Sequence, residues 1–108
     1  MFIGAMYKIF TTEEFDKDFM KLDKSLQIQV QKEIEQLKIN PHTGKPLGYK
    51  FFREKRVKNY RIYFLIYEDN VVVFVIALSN KKDQQQVISK VKFLIPFYRE
   101  QIKKKVNL

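Results

Sequence analysis

Val71-Val72-Val73-Phe74-Val75-Ile76-Ala77-Leu78 is eight apolar residues without interruption. A strand with one wet face alternates polar and apolar positions. This one does not, so it reads as a central strand covered on both faces. Upstream, Glu68-Asp69-Asn70 reads as a hairpin turn, because Asp and Asn best tolerate left-handed backbone. Before it, Tyr60 to Tyr67 is a second strand. Lys58-Asn59 turns the chain back from a third, Tyr49 to Val57.

Farther out, the period changes. Asn40-Pro41-His42-Thr43-Gly44-Lys45-Pro46-Leu47-Gly48 is dense in turn formers and reads as a loop. Leu26, Ile28, Val30, Ile34, Leu37 and Ile39 form a helix that ends before Pro41, since the residue preceding proline resists helix. Asp23 and Ser25 separate it from an earlier helix to about Leu22, with Phe15, Phe19 and Leu22 at helical spacing. Thr11 or Thr12 offers that helix a cap, and Glu13, Glu14 and Asp16 suit its positive end. Met6 to Phe10 is a short first strand. After the apolar run, Ser79 or Asn80 caps a last helix, with Asp83 near the capping-box position and Val87, Ile88, Val91, Leu94 and Ile95 as its stripe. Pro96 is expected to break or restart it, leaving 96–108 a helical or frayed extension.

The expected fold is α+β in the order β-α-α-β-β-β-α. A helical hairpin packs on a small, mainly antiparallel sheet, and 1–108 form a single domain.

Composition bounds the chemistry. With no cysteine, neither disulfides nor thiolates contribute, and a reducing cytoplasm is the expected home. His42 is the only histidine, so metal-ligand spacing is missing, and neither metal nor cofactor is expected. No apolar run approaches the roughly 20 residues that cross a bilayer. Met1 to Ala5 is too short and uncharged for a secretion signal, and Met6 is an alternative start. Up to Leu47, seven lysines balance seven acids, so the whole net charge of +9 lies in the second half. Such asymmetry points to an acidic partner; a solubilising surface is the plainer reading.

The basic residues cluster on the paired strands. Lys50, Arg53, Lys55, Arg56 and Lys58 accompany one acid, Glu54, and Arg61 follows. Alternation puts Glu54 and Arg56 on one strand face, Arg61 and Tyr63 on one face of the next. A hairpin brings these together away from the helical hairpin, with Lys81 and Lys82 closing one side. Arginine forks on a rigid sheet suit phosphate. The plainer alternative is an Arg61–Glu54 ion pair that supports the fold.

The pattern Pro-x-x-Gly-Lys-Pro-Leu from Pro41, then Arg56-Val57-Lys58-Asn59-Tyr60-Arg61-Ile62, resembles the RelE/ParE superfamily of type II toxin–antitoxin toxins. So does the apolar strand followed by Asn80-Lys81-Lys82-Asp83. The resemblance spans about Tyr7 to Lys90, and its most specific piece is basic–Val–x–x–Tyr–Arg–Ile. It implies a cognate antitoxin partner with an acidic or amphipathic helical segment. It also implies one of two targets: mRNA cut on the ribosome without a metal, as in RelE, or DNA gyrase, as in ParE.

For RNA cleavage, Arg56 and Arg61, with Lys81 or Lys82, would stabilise the phosphorane. Glu54 is the candidate base. Lys50, Arg53, Lys55, Lys58 and Tyr63 would contact RNA, Tyr63 doubling as a possible proton donor. The plainer reading has Tyr63 packing the sheet with Tyr60 and Tyr67. Family ribonucleases commonly carry Tyr or His in the last helical segment, where this chain has Gln84-Gln85-Gln86-Val87. A ParE-like gyrase inhibitor, an inactive antitoxin-binding member or a non-toxic RNA-binding module are the alternatives.

Overall fold

The computed structural model describes residues 6–107, so the reading of Met1 to Ala5 lies outside the described residues. The elements are β1 (Lys8–Thr11), α1 (Glu13–Met20), α2 (Lys24–Ile39), β2 (Lys45–Tyr49), β3 (Phe52–Val57), β4 (Tyr60–Tyr67), β5 (Val72–Asn80) and α3 (Gln84–Val106). Side chains start both helices of the hairpin. Thr12 Oγ1 accepts from the Phe15 N–H at 3.0 Å, and Asp23 Oδ1 from the Leu26 N–H at 2.9 Å.

The sheet runs β1-β5-β4-β3-β2, with β1 parallel to β5 and the other pairs antiparallel. The apolar run is therefore interior, between β1 and β4, as its lack of alternation implied. Its two faces feed two cores. Val73, Val75 and Leu78 meet Phe15, Val30, Ile34 and Leu37 of the helical hairpin. Phe74 and Ile76 meet Ile88, Val91, Tyr98 and Ile102 of α3. The register shift between Tyr63 and Phe64 of β4 faces Ile76 in β5, a local bulge that turns Ile76 and Ala77 toward the same core.

The architecture is the expected α+β hairpin-on-sheet arrangement with one strand added. Lys45–Tyr49, read as loop plus the start of a longer strand, is a separate edge strand. Proline is tolerated there because an outward-facing edge position donates nothing to the ladder. Gly48, at φ +89, sits in the irregular stretch between Pro46 and Tyr49. The left-handed backbone expected of Asp69 and Asn70 falls instead on Val71 (φ 54), and Lys58 takes it in the other turn (φ 53). Ser79 and Asn80 belong to β5, although Asn80 Oδ1 still accepts from the Asp83 N–H at 3.1 Å. Pro96 does not break α3. Its ring lies on the exposed side, while buried Val91, Tyr98 and Ile102 hold the helix to the sheet before and after it. That packing outweighs a proline cost of about 3 kcal/mol.

Candidate functional site

Antiparallel pairing sets Glu54 opposite Tyr63 and Arg56 opposite Arg61, so these four side chains share the face toward α3. Glu54 and Arg61 are only 6% and 9% exposed. A buried carboxylate needs partners, and two elements supply them. Gln84, the first residue of α3, donates from Nε2 to both Glu54 oxygens, at 2.9 Å each. Arg61 Nε stands 4.0 Å from Glu54 Oε2, too long for a hydrogen bond but close enough for charge pairing.

An open cleft of about 530 Å³ lies over this group, bounded by Thr43, Lys45, Lys55, Arg56 and Gln84. Arg56 is exposed and steadied by donating from Nε to the Lys58 carbonyl at 3.0 Å. Lys55 Nζ is 3.4 Å from Thr43 Oγ1 and 3.8 Å from Glu33 Oε2. Lys45 comes in from β2, whose register sets it opposite Glu54. Lys45, Lys55, Arg56 and Arg61 thus line one cleft with a buried carboxylate, and only Arg61 stands close enough to pair with it; cations around an open cleft are the chemistry that suits a phosphodiester.

Not every residue singled out from the sequence sits here. Tyr63 is fully buried under α3, its hydroxyl 2.8 Å from Ser79 Oγ, and burial pushes its phenol up. It packs the sheet and cannot touch RNA. Arg53 donates from Nε to the Lys50 carbonyl (2.8 Å) and from Nη1 to the carbonyls of His42 (3.1 Å) and Gly44 (2.7 Å). Its guanidinium ties down the α2–β2 loop. Lys50 and Lys58 occupy exposed turns beside β3, and Lys81 and Lys82 stand exposed in the β5–α3 link without lining the cleft. His42 Nε2 lies 2.7 Å from Glu68 Oε1, while Tyr7 donates to Glu68 Oε2 at 2.6 Å. That group joins the residue preceding β1, the α2–β2 loop and the β4–β5 turn, and lines no part of the cleft.

Two contributors were missed. In the sequence Gln84 stands out only as a position that is not Tyr or His, and Lys45 reads as part of a loop. The signal for Lys45 is its place three residues before the positive-φ Gly48 next to a strand; the signal for Gln84 is its place at a helix start just past a strand end.

A family model described as the ParE toxin of type II toxin–antitoxin systems matches residues 9–85. Among solved structures, the chain is similar to a mutant of Escherichia coli RelE in the free state, at 20% identity over 80% of this chain and 93% of that one, with TM-score 0.68. It is similar to the toxin in the intact E. coli RelBE complex, at 23% identity over 68% and 95%, TM-score 0.62. Similarity to the RelBE2 complex of Mycobacterium tuberculosis is 21% over 71% and 100%, TM-score 0.64. These likenesses establish the fold. No curated protein matches the sequence.

Proposed function

The chain belongs to the ParE toxin family of type II toxin–antitoxin systems, within the RelE/ParE superfamily, and from that premise we propose that it is a RelE-like endoribonuclease. Its substrate in this reading is mRNA on the ribosome, in the cytoplasm. The observation that carries it is one cleft lined by Lys45, Lys55, Arg56 and Arg61 together with the buried Glu54 carboxylate.

Arg61 and Arg56 bind the scissile phosphate and stabilise the charge that builds on its oxygens. Glu54 takes the proton from the ribose 2′-OH as that oxygen attacks phosphorus. The P–O5′ bond breaks, and the ammonium of Lys45 or Lys55 protonates the leaving 5′-oxygen. The products are a 2′,3′-cyclic phosphate and a 5′-hydroxyl. Gln84 holds Glu54 in place but has no proton to give. Lys50, Lys58, Lys81 and Lys82 contact flanking phosphates or ribosomal RNA. The mechanism calls for neither metal nor cofactor.

One observation favours a second reading. Gln84 occupies the wall of the cleft with an amide, and among the described residues neither a Tyr nor a His lines the cleft. A ParE-like gyrase inhibitor, or a member that only binds antitoxin, would need no more. In either case a cognate antitoxin is the partner we expect. The solved E. coli RelBE and Pyrococcus horikoshii RelE–RelB structures are toxin–antitoxin complexes.

Induced expression of wild type and Arg61→Ala, with mapping of mRNA 5′ ends, tests the proposal. New in-frame cuts in the wild type, lost in the folded variant, support it. Growth arrest without cuts refutes it and moves the target to gyrase or another protein.

A further inference from the structure

Phe93 is 84% exposed and Phe97 is 54% exposed, both on α3. Phe93 stands on the side of the helix opposite the buried stripe of Val91, Tyr98 and Ile102. A phenyl ring so fully in water gives the fold nothing, which makes it a candidate contact. α3 also carries six cations against one acid, Glu100.

These charges are not evenly spread. At about 100° per residue, Lys92, Arg99 and Lys103 fall within a narrow stripe about a quarter to a third of a turn round the helix from Phe93, with Glu100 between them and the ring. The other flank, past Phe97, faces Glu13, Glu14 and Asp16 of the first turn of α1, and Lys90 is paired with Glu14 at 3.2 Å. A polyanion is therefore repelled on the α1 side and drawn to the Lys92 side. Lys92 leans over β2, where its Nζ would meet a Cβ on Gly48 at 2.9 Å. β2 also carries Lys45 into the cleft. Gln84 walls that cleft, and Phe93 lies nine residues along the same helix, a rise of about 14 Å and half a turn around it, so a strand leaving the cleft reaches Phe93 past Lys92 on the β2 side.

We infer that Phe93, flanked by Lys92 and the Arg99–Lys103 stripe, is a base-stacking platform that holds the single-stranded RNA leaving the Glu54–Arg61 cleft. The inference rests on RNA being the target of that cleft. A π-face beside cations is what sequence-tolerant single-strand binding uses. A partner helix is the weaker occupant: helix docking wants apolar anchors at i, i+3 or i+4, and i+7. Here the positions around Phe93 and Phe97 are Ser89, Lys90, Glu100 and Lys104.

The test is anisotropy titration of the full-length protein, free of antitoxin, with a labelled 12-nucleotide 2′-O-methyl oligouridine that lacks the attacking hydroxyl. Phe93→Ala should weaken binding at least about fivefold, and Phe93→Leu should weaken it equally, because leucine restores apolar area without a π-face. Phe93→Tyr should bind as wild type does. Lys92→Gln with Lys103→Gln should flatten the slope of log affinity against log salt by about 1.4. Phe93 is exposed, so thermal melts of all variants should coincide with wild type. Wild-type affinity in Phe93→Leu, an unchanged Phe93→Ala, or no binding by wild type would each overturn the inference. So would Phe93-dependent self-association without RNA binding. If the wild type fails to cut mRNA yet binds the oligonucleotide through Phe93, the catalytic reading falls and this one stands. If cutting is intact and Phe93 is indifferent, only this one falls.

Discussion

Gly44→Ala is the substitution whose cost can be worked most directly. Gly44 has φ −71, a value alanine adopts freely, so its backbone carries no strain. Restricting the unfolded chain would by itself stabilise the variant by about 0.4–1 kcal/mol. The obstacle is steric. A Cβ on Gly44 would lie 2.7 Å from Phe64 Cζ, 3.1 Å from Phe64 Cε1 and 3.0 Å from the Glu54 carbonyl oxygen. Carbon atoms rest about 3.5–4.0 Å apart, and the Phe64 ring is wholly buried, with no room to retreat. Overpacking of this kind costs about 1–3 kcal/mol. The net destabilisation should be about 1–2 kcal/mol, which in a domain of this size lowers Tm by about 5–15 °C. Urea unfolding followed by circular dichroism measures it. Phe64→Leu, which removes the offending ring atoms, should offset most of the loss, so that the double variant is more stable than the sum of the singles. Gly48→Ala is the control. Its φ of +89 strains alanine by about 1–2 kcal/mol whatever the space, and Phe64→Leu should not rescue it. A Gly44→Ala protein as stable as wild type, or strict additivity with Phe64→Leu, would refute the reasoning. Because Thr43 and Lys45 flank Gly44 and both line the cleft, the same variant should also bind RNA less tightly.

Three further outcomes are expected. Glu54→Gln should lower the rate of RNA cleavage about 10²–10⁴-fold while a non-cleavable oligonucleotide binds at least as tightly, measured by single-turnover kinetics and anisotropy; equal rates would remove Glu54 from the chemistry. Tyr67→Phe should be neutral or more stable by up to about 1 kcal/mol, because the Tyr67 hydroxyl is buried with no hydrogen-bond partner; a clear loss in urea midpoint would mean the hydroxyl has a partner. Tyr7 is raised to about 12, chiefly by its hydrogen bond to Glu68. A raised folded value means that its contribution to stability is complete below about pH 10 and is lost as pH climbs through about 12. Glu68→Gln should bring one phenol back toward 10 in an absorbance titration at high pH, and an unchanged curve would contradict the assignment.

Much of this molecule was legible before any coordinates. The unalternated run from Val71 showed a doubly covered strand, and β5 is one. Strand alternation was enough to set Glu54, Arg56 and Arg61 on one face. It could not say what would arrive above them. The stripe on α3 marks an amphipathic helix without naming the face it covers, so Tyr63 was given to RNA when it lies beneath that helix. Gln84 escaped for the same reason: its contact with Glu54 joins residues thirty apart, and only packing creates it. β2 escaped because an edge strand tolerates the proline and glycine that otherwise mark loops. Its hydrogen bonds come from one neighbour, and the local sequence carries little of that information.

The parallel pairing of β1 with β5 sets an order of assembly. Lys8 takes Val72 as its register partner, with both helices of the hairpin and three strands between them. During synthesis the hairpin of helices can form from local contacts, but β1 has no strand to join until β5 has left the ribosome. α3 follows later still, and with it both Gln84 and the cover for Phe74 and Leu65. A nascent chain therefore carries its arginines well before it has a cleft to hold them in. The site exists only once the start of α3 has left the ribosome and packed back on the sheet.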